Sequence, residues 1–118
     1  MSEALVVQLA KRQLDAYNAA DLEAFCACYH ADVTVLDADG VVTVRGIDAF
    51  RARYLGLFRD FTDVHAEVDA RLVLGAHAVE REHWSRRNRT SNEVTRGSVL
   101  VRYTERDGSI ATAQFLHG

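Results

Sequence analysis

The chain has 118 residues, 48% of them hydrophobic and 26% charged, with a formal net charge of -3, a balance found in ordinary globular proteins and not in disordered ones. One domain spanning residues 1–118 is expected. No run of about 18 apolar residues occurs and the N-terminus lacks the basic-then-apolar pattern of a secretory signal, so a cytoplasmic protein without a membrane span is expected; the mildly acidic charge also speaks against bulk binding to nucleic acid or anionic membrane.

With no proline and seven scattered glycines, hydrophobic period is what divides the chain. From Ser2 to Asn18, at about 100° per residue, Val6, Leu9, Ala10, Leu14 and Tyr17 share one helical stripe, with Gln13 inside it. Asp21 is placed to cap a second helix to about His30, whose stripe is Leu22, Phe25, Cys26 and Tyr29. Cys26 and Cys28, two apart on that helix, diverge, and no disulfide between them is expected. Val33 to Asp37 and Val41 to Arg45 flank Asp39-Gly40 and read as a hairpin. A third helix from Ile47 to Arg59 carries Ile47, Phe50, Tyr54, Leu57 and Phe58 on one face.

Thereafter the period is two. Ala66, Val68, Ala70, Leu72 and Leu74 alternate with His65, Glu67, Asp69, Arg71 and Val73, predicting one apolar and one mostly polar face. Ala78 to Arg87, Val94 to Glu105 and Ser109 to His117 supply three more strands. The expected architecture is α+β, with three helices packed on the concave face of a strongly twisted four-stranded antiparallel sheet and a pocket where the layers do not quite meet.

Several side chains are placed to do chemistry. Asp37 shares a strand face with Val33 and Val35; pointing inward it is a general base with a raised pKa, and pointing outward it sets the hairpin turn. Glu82 shares a face with Glu80 and Trp84; buried, it is a second pocket acid whose titration separates from that of Asp37, and exposed, it is an ion-pair partner for a neighbouring arginine. His117, in line with Phe115 and Ala113, either closes a pocket or is solvated near the chain end. Gln13, Tyr17, Tyr29 and Tyr54 put polar atoms on apolar faces and need partners. Arg86, Arg87 and Arg89 form a basic turn, read as a solvated tip or an anion grip. No metal-ligand spacing, phosphate loop or GxSxG elbow occurs, so no metal or other cofactor is expected.

The order of these elements is itself informative: Asp21-Leu22-Glu23-Ala24-Phe25 opening the second helix, Val35-Leu36-Asp37-Ala38-Asp39-Gly40 ending the first hairpin strand, Arg45-Gly46 before the third helix, and Arg106-Asp107-Gly108-Ser109-Ile110 in the last turn. It resembles the nuclear transport factor 2-like superfamily over nearly the whole chain, nearest its small bacterial SnoaL-like and steroid Δ-isomerase-like members. That resemblance implies a conical barrel with a deep central pocket and a homodimer through the outer sheet face carrying His65, Glu67, Asp69 and Arg71. It places the ketosteroid isomerase general base on Asp37 and two pocket tyrosines on Tyr29 and Tyr54. The family's oxyanion-hole tyrosine and aspartic acid stand here as Gln13 and Val99, which argues against steroid isomerisation and for a different substrate. Glu82, Trp84, Ala113, Phe115 and His117 fall on pocket-lining positions.

The function expected is a cofactor-independent enzyme acting by proton transfer on a small, partly apolar organic molecule, of isomerase, cyclase, dehydratase or hydrolase type. Asp37 moves the proton, Glu82 or His117 is its partner, and Gln13, Tyr17, Tyr29, Tyr54, Trp84, Val99 and Phe115 line the substrate site. The alternative is a non-catalytic ligand-binding or dimeric scaffold domain of the same fold. A third reading is an anion-binding module using Arg86, Arg87 and Arg89.

Overall fold

A computed structural model describes residues 3–118. Helix α1 spans Leu5–Asn18 and buries Val6, Leu9, Ala10, Gln13 and Ala16 along one face, as the period predicts; the expected start at Ser2 lies outside the described residues. Ala20, with a positive φ of 53°, ends the helical run, and Asp21 Oδ1 then accepts a 3.1 Å bond from Ala24 N, capping α2.

Helix α2, Leu22–Cys26, stops well short of the predicted His30. Strand β1 is Tyr29–Leu36, so Tyr29 is a strand residue and not part of a helical stripe. The reason is a pairing the sequence does not announce: Ile110 N donates to Cys28 O at 2.9 Å, and Tyr29 lies opposite Ile110. Both cysteines are free and buried.

Strand β2 is Val42–Arg45, helix α3 is Ile47–Asp60, and strands β3 (Phe61–Leu74), β4 (His77–Asn88), β5 (Val94–Arg106) and β6 (Ser109–His117) complete the order. The hairpin does not stand apart from the meander. One six-stranded sheet runs β2-β1-β6-β5-β4-β3, in place of the expected four strands. It is antiparallel except where β1 pairs parallel with β6. The barrel is not closed, because β2 and β3 remain edges. Helix α1 lies across β3 to β6, and α3 against β1, β2 and β3. Between them Phe25 anchors an aromatic cluster, its ring 4.6 Å from that of Tyr54, 5.2 Å from Tyr29 and 5.6 Å from Phe50.

Strand β3 departs from its simple alternation. Val68 lies opposite Glu82 but Ala70 lies opposite Arg81, so Asp69 is an extra residue in the ladder. Such a bulge exchanges the two faces beyond it. Ala66 and Val68 therefore face the helices, while Leu72 and Leu74, predicted on the same apolar face, are 77% and 81% exposed. Arg71, predicted on the outer polar face, turns inward instead: its Nε lies 2.6 Å from Glu80 Oε2, and Glu80 is 1% exposed. The bulge residue is held outside, Asp69 accepting from Arg81 Nε at 2.6 Å and lying 2.8 Å from His83 Nε2. These two hydrogen bonds pull its pKa down to about 2.

Removing one member of a buried pair strands the other charge. Arg71→Ala is expected to lower stability in urea unfolding by about 3 kcal/mol or more. Arg81→Ala, which breaks a solvated pair, is expected to leave the midpoint almost unchanged.

Candidate functional site

The helices and the curved sheet enclose a cavity of about 590 Å³, within the size range of small-molecule sites. Its mouth is marked by the exposed residues Ala38, Asp39, Thr43, Arg53 and His117, and its floor by the buried Gln13, Tyr29, Val35, Val99 and Tyr103. The floor is polar yet internally paired. Tyr29 Oη donates to Gln13 Oε1 at 2.9 Å, while Gln13 Nε2 donates to Ala10 O at 3.0 Å and to Tyr103 Oη at 3.1 Å. Gln13 thus finds the partners its position in an apolar stripe demands. Tyr103 accepts in this network, so its own hydroxyl hydrogen remains to be donated.

Strand β4 supplies the wall. Glu82, Trp84 and Arg86 all line the cavity, as alternation on one strand face requires. Glu82 forms no ion pair or hydrogen bond among the described residues, whereas Glu80, two residues earlier on that face, takes Arg71. Burial pushes the Glu82 pKa up to about 7, and the like charge of Glu80 adds to the shift. Tyr17 and Tyr54 also line the cavity. Burial raises the pKa of both, as it does for Tyr29 and Tyr103, so at neutral pH all four phenols are hydrogen-bond donors.

Cross-strand register fixes the remaining positions. Val99 lies opposite Glu82 on one side and His117 on the other, so Glu82 and His117 face the same way, two strand spacings or roughly 10 Å apart. Val99 is buried between them, and the His117 ring stacks 6.2 Å from that of Phe115. Asp37 reaches the cavity near its mouth, but its Oδ1 accepts from the backbone N–H groups of Asp39 and Val41, each at 2.9 Å. One carboxylate oxygen is therefore engaged in the hairpin turn.

Three features escaped sequence reasoning. Tyr103 shares the parity of Val99 and Val101, which alternation alone could have shown. The arginine triplet divides: Arg87 turns outward to Asp63 and Asn92, Arg89 lies against Phe58 O, and Arg86 turns inward. Gly97 sits opposite Trp84, and a Cβ there would lie 2.5 Å from the indole Cζ2. A glycine inside a strand pattern is the available signal for such a close approach.

Helices cradled by one strongly curved sheet around a lined cavity define the cystatin-like α+β class to which nuclear transport factor 2-like proteins belong. Within it, the chain belongs to the SnoaL-like domain family, whose model matches residues 10–113. No curated protein matches it significantly in sequence. Among solved structures, a cystatin-fold protein from Novosphingobium aromaticivorans is similar at 22% identity and a TM-score of 0.85, over 97% of this chain and 98% of that one. An LEH-like epoxide hydrolase from M. tuberculosis is 11% identical with a TM-score of 0.83, over 97% and 83%. A SnoaL-like polyketide cyclase candidate from Jannaschia is 15% identical with a TM-score of 0.81, over 99% and 90%. At these identities the structures share a fold with this chain. Among the described residues, no helix is long and apolar enough to cross a membrane, and no group of three or more His, Cys, Asp or Glu is placed to hold a metal ion.

Carboxyl carbon NMR is expected to show one glutamate, lost in Glu82→Gln, titrating near pH 7. Because this pKa is raised on folding, its contribution to stability is complete below about 4.5 and is lost as pH rises to about 7. Glu82→Gln is accordingly expected to gain on the wild type across that window, by on the order of 3 kcal/mol. Gly97→Ala is expected to displace Trp84, shifting the emission of the single tryptophan and costing about 1–3 kcal/mol through overpacking.

Proposed function

We propose that the chain is a cofactor-independent enzyme that moves a proton on a small, partly apolar organic substrate, with Glu82 as the proton-transfer group. The observation that carries this reading is a largely buried carboxyl with no cationic partner among the described residues, on the wall of a cavity, where burial pushes its pKa up to about 7. A base is most effective when its pKa lies near the working pH. Ionised Glu82 takes a proton from an acidified C–H of the substrate, its carboxylic acid form returns that proton to another carbon, and the Tyr103, Tyr17 or Tyr54 hydroxyl donates to the oxygen on which charge develops. Asp37 and His117, near the mouth, are the second ionisable groups such a substrate meets. The hydrolase and cyclase neighbours lend support only in that the fold accommodates small-molecule chemistry.

A non-catalytic binding role is the second reading, favoured by the engagement of Asp37 Oδ1 in its turn. The two separate in a deuterium-exchange assay on cyclic enolisable ketones, followed by NMR. Enzymatic exchange is expected for at least one ketone, falling as pH drops through about 7 and losing on the order of 100-fold or more in Glu82→Gln. Saturable binding without exchange would establish the binding role instead.

A further inference from the structure

Arg86 lines the cavity on the strand face of Glu82 and Trp84. Its guanidinium carbon lies 4.2 Å from the Phe61 ring centroid and 5.0 Å from that of Trp84. Both rings attract the cation through their π systems, and neither supplies an oxygen or nitrogen acceptor for its N–H groups. Arg86 Nε is buried without a hydrogen-bond partner, and no carboxylate among the described residues pairs with it. Arg71, Arg81 and Arg87 each meet an acid; Arg102 shares with Arg86 a buried Nε without a partner, but of the two only Arg86 lines the cavity. A partly buried guanidinium set against aromatic rings, whose donors have no partner among the described residues, is suited to receive a planar anion.

We propose that the cavity recognises organic carboxylates, with Arg86 as the residue that holds the carboxylate group and Trp84 as the surface against which the apolar part of the ligand lies. This rests on the reading of the cavity as a small-molecule site. Arg86 lies four positions along the strand from Glu82, roughly 13 Å between their Cα atoms. The carboxylate is thereby kept at the far end of the wall from the buried acid, with the indole between them. The ligand class is an aromatic or alicyclic acid whose reacting carbon lies well away from its carboxylate.

The indole N–H resonance of Trp84, the single tryptophan, reports binding directly. We expect phenylacetate, cinnamate and 2-naphthoate to bind about tenfold or more tightly than their primary amides, as charge-assisted hydrogen bonds to a guanidinium imply. Arg86→Gln is expected to bring acids and amides within about twofold of each other. Arg87→Gln, on the same strand but facing outward, is expected to preserve the preference for acids, and Arg86→Lys to keep part of it. Equal affinity for acid and amide in the wild-type protein overturns the inference and leaves the cavity reading standing. Failure of all six compounds to bind overturns both.

Discussion

The amide of Gln13 joins the two layers of the molecule. It lies on α1, in the middle of an apolar face, and its three hydrogen bonds reach β1 through Tyr29, β5 through Tyr103, and its own helix at Ala10. Strands β1 and β5 flank β6, so one side chain fixes the helix over the centre of the sheet. A buried amide with any of these partners missing would carry a desolvation cost of about 1–3 kcal/mol, which makes the arrangement specific to one docking of α1. The same network floors the cavity, and its position determines which atoms a ligand meets there.

The electrostatics of the wall depend on a feature one strand away. Glu80 and Glu82 have the same parity on β4, yet Glu80 has a cation and Glu82 has none. The difference arises at Asp69: without the extra residue in β3, Arg71 would lie on the outer face with His65 and Glu67, and Glu80 would be a second unpaired buried acid. With the bulge, Arg71 reaches Glu80, and Glu82 is left as the acid on that face without a cation. Two chemically identical side chains in different surroundings are how a fold separates a structural acid from a reactive one.

Much of this was legible in the sequence. The helical stripes of α1 and α3, the Asp21 cap, the β4 face shared by Glu80, Glu82 and Trp84, and the last hairpin at Asp107-Gly108 all follow from local period and turn chemistry. The truncation of α2, the parallel pairing of β1 with β6 and the face exchange in β3 do not, because each is decided by a partner distant in the chain. Tyr29 is instructive: a helical period of four from Phe25 and a strand period of two toward Val33 both fit it, and only the backbone bond from Ile110 to Cys28 decides between them. The site was legible as a set of residue types on faces. Its charge pattern was not, since the pairing of Glu80 with Arg71 depends on the register of β3 against β4, whereas the inward side of Arg86 follows from its parity with Glu82 and Trp84.

The close seating of Trp84 on Gly97 ties two positions on neighbouring strands into one unit of variation. The indole occupies the space that any side chain at position 97 would need, so position 97 cannot take a side chain while the tryptophan stays in place. At this part of the wall, change has to begin at Trp84, and only after that loss does position 97 become free to vary. The route by which such a pocket changes its specificity is therefore ordered, with the larger residue yielding first.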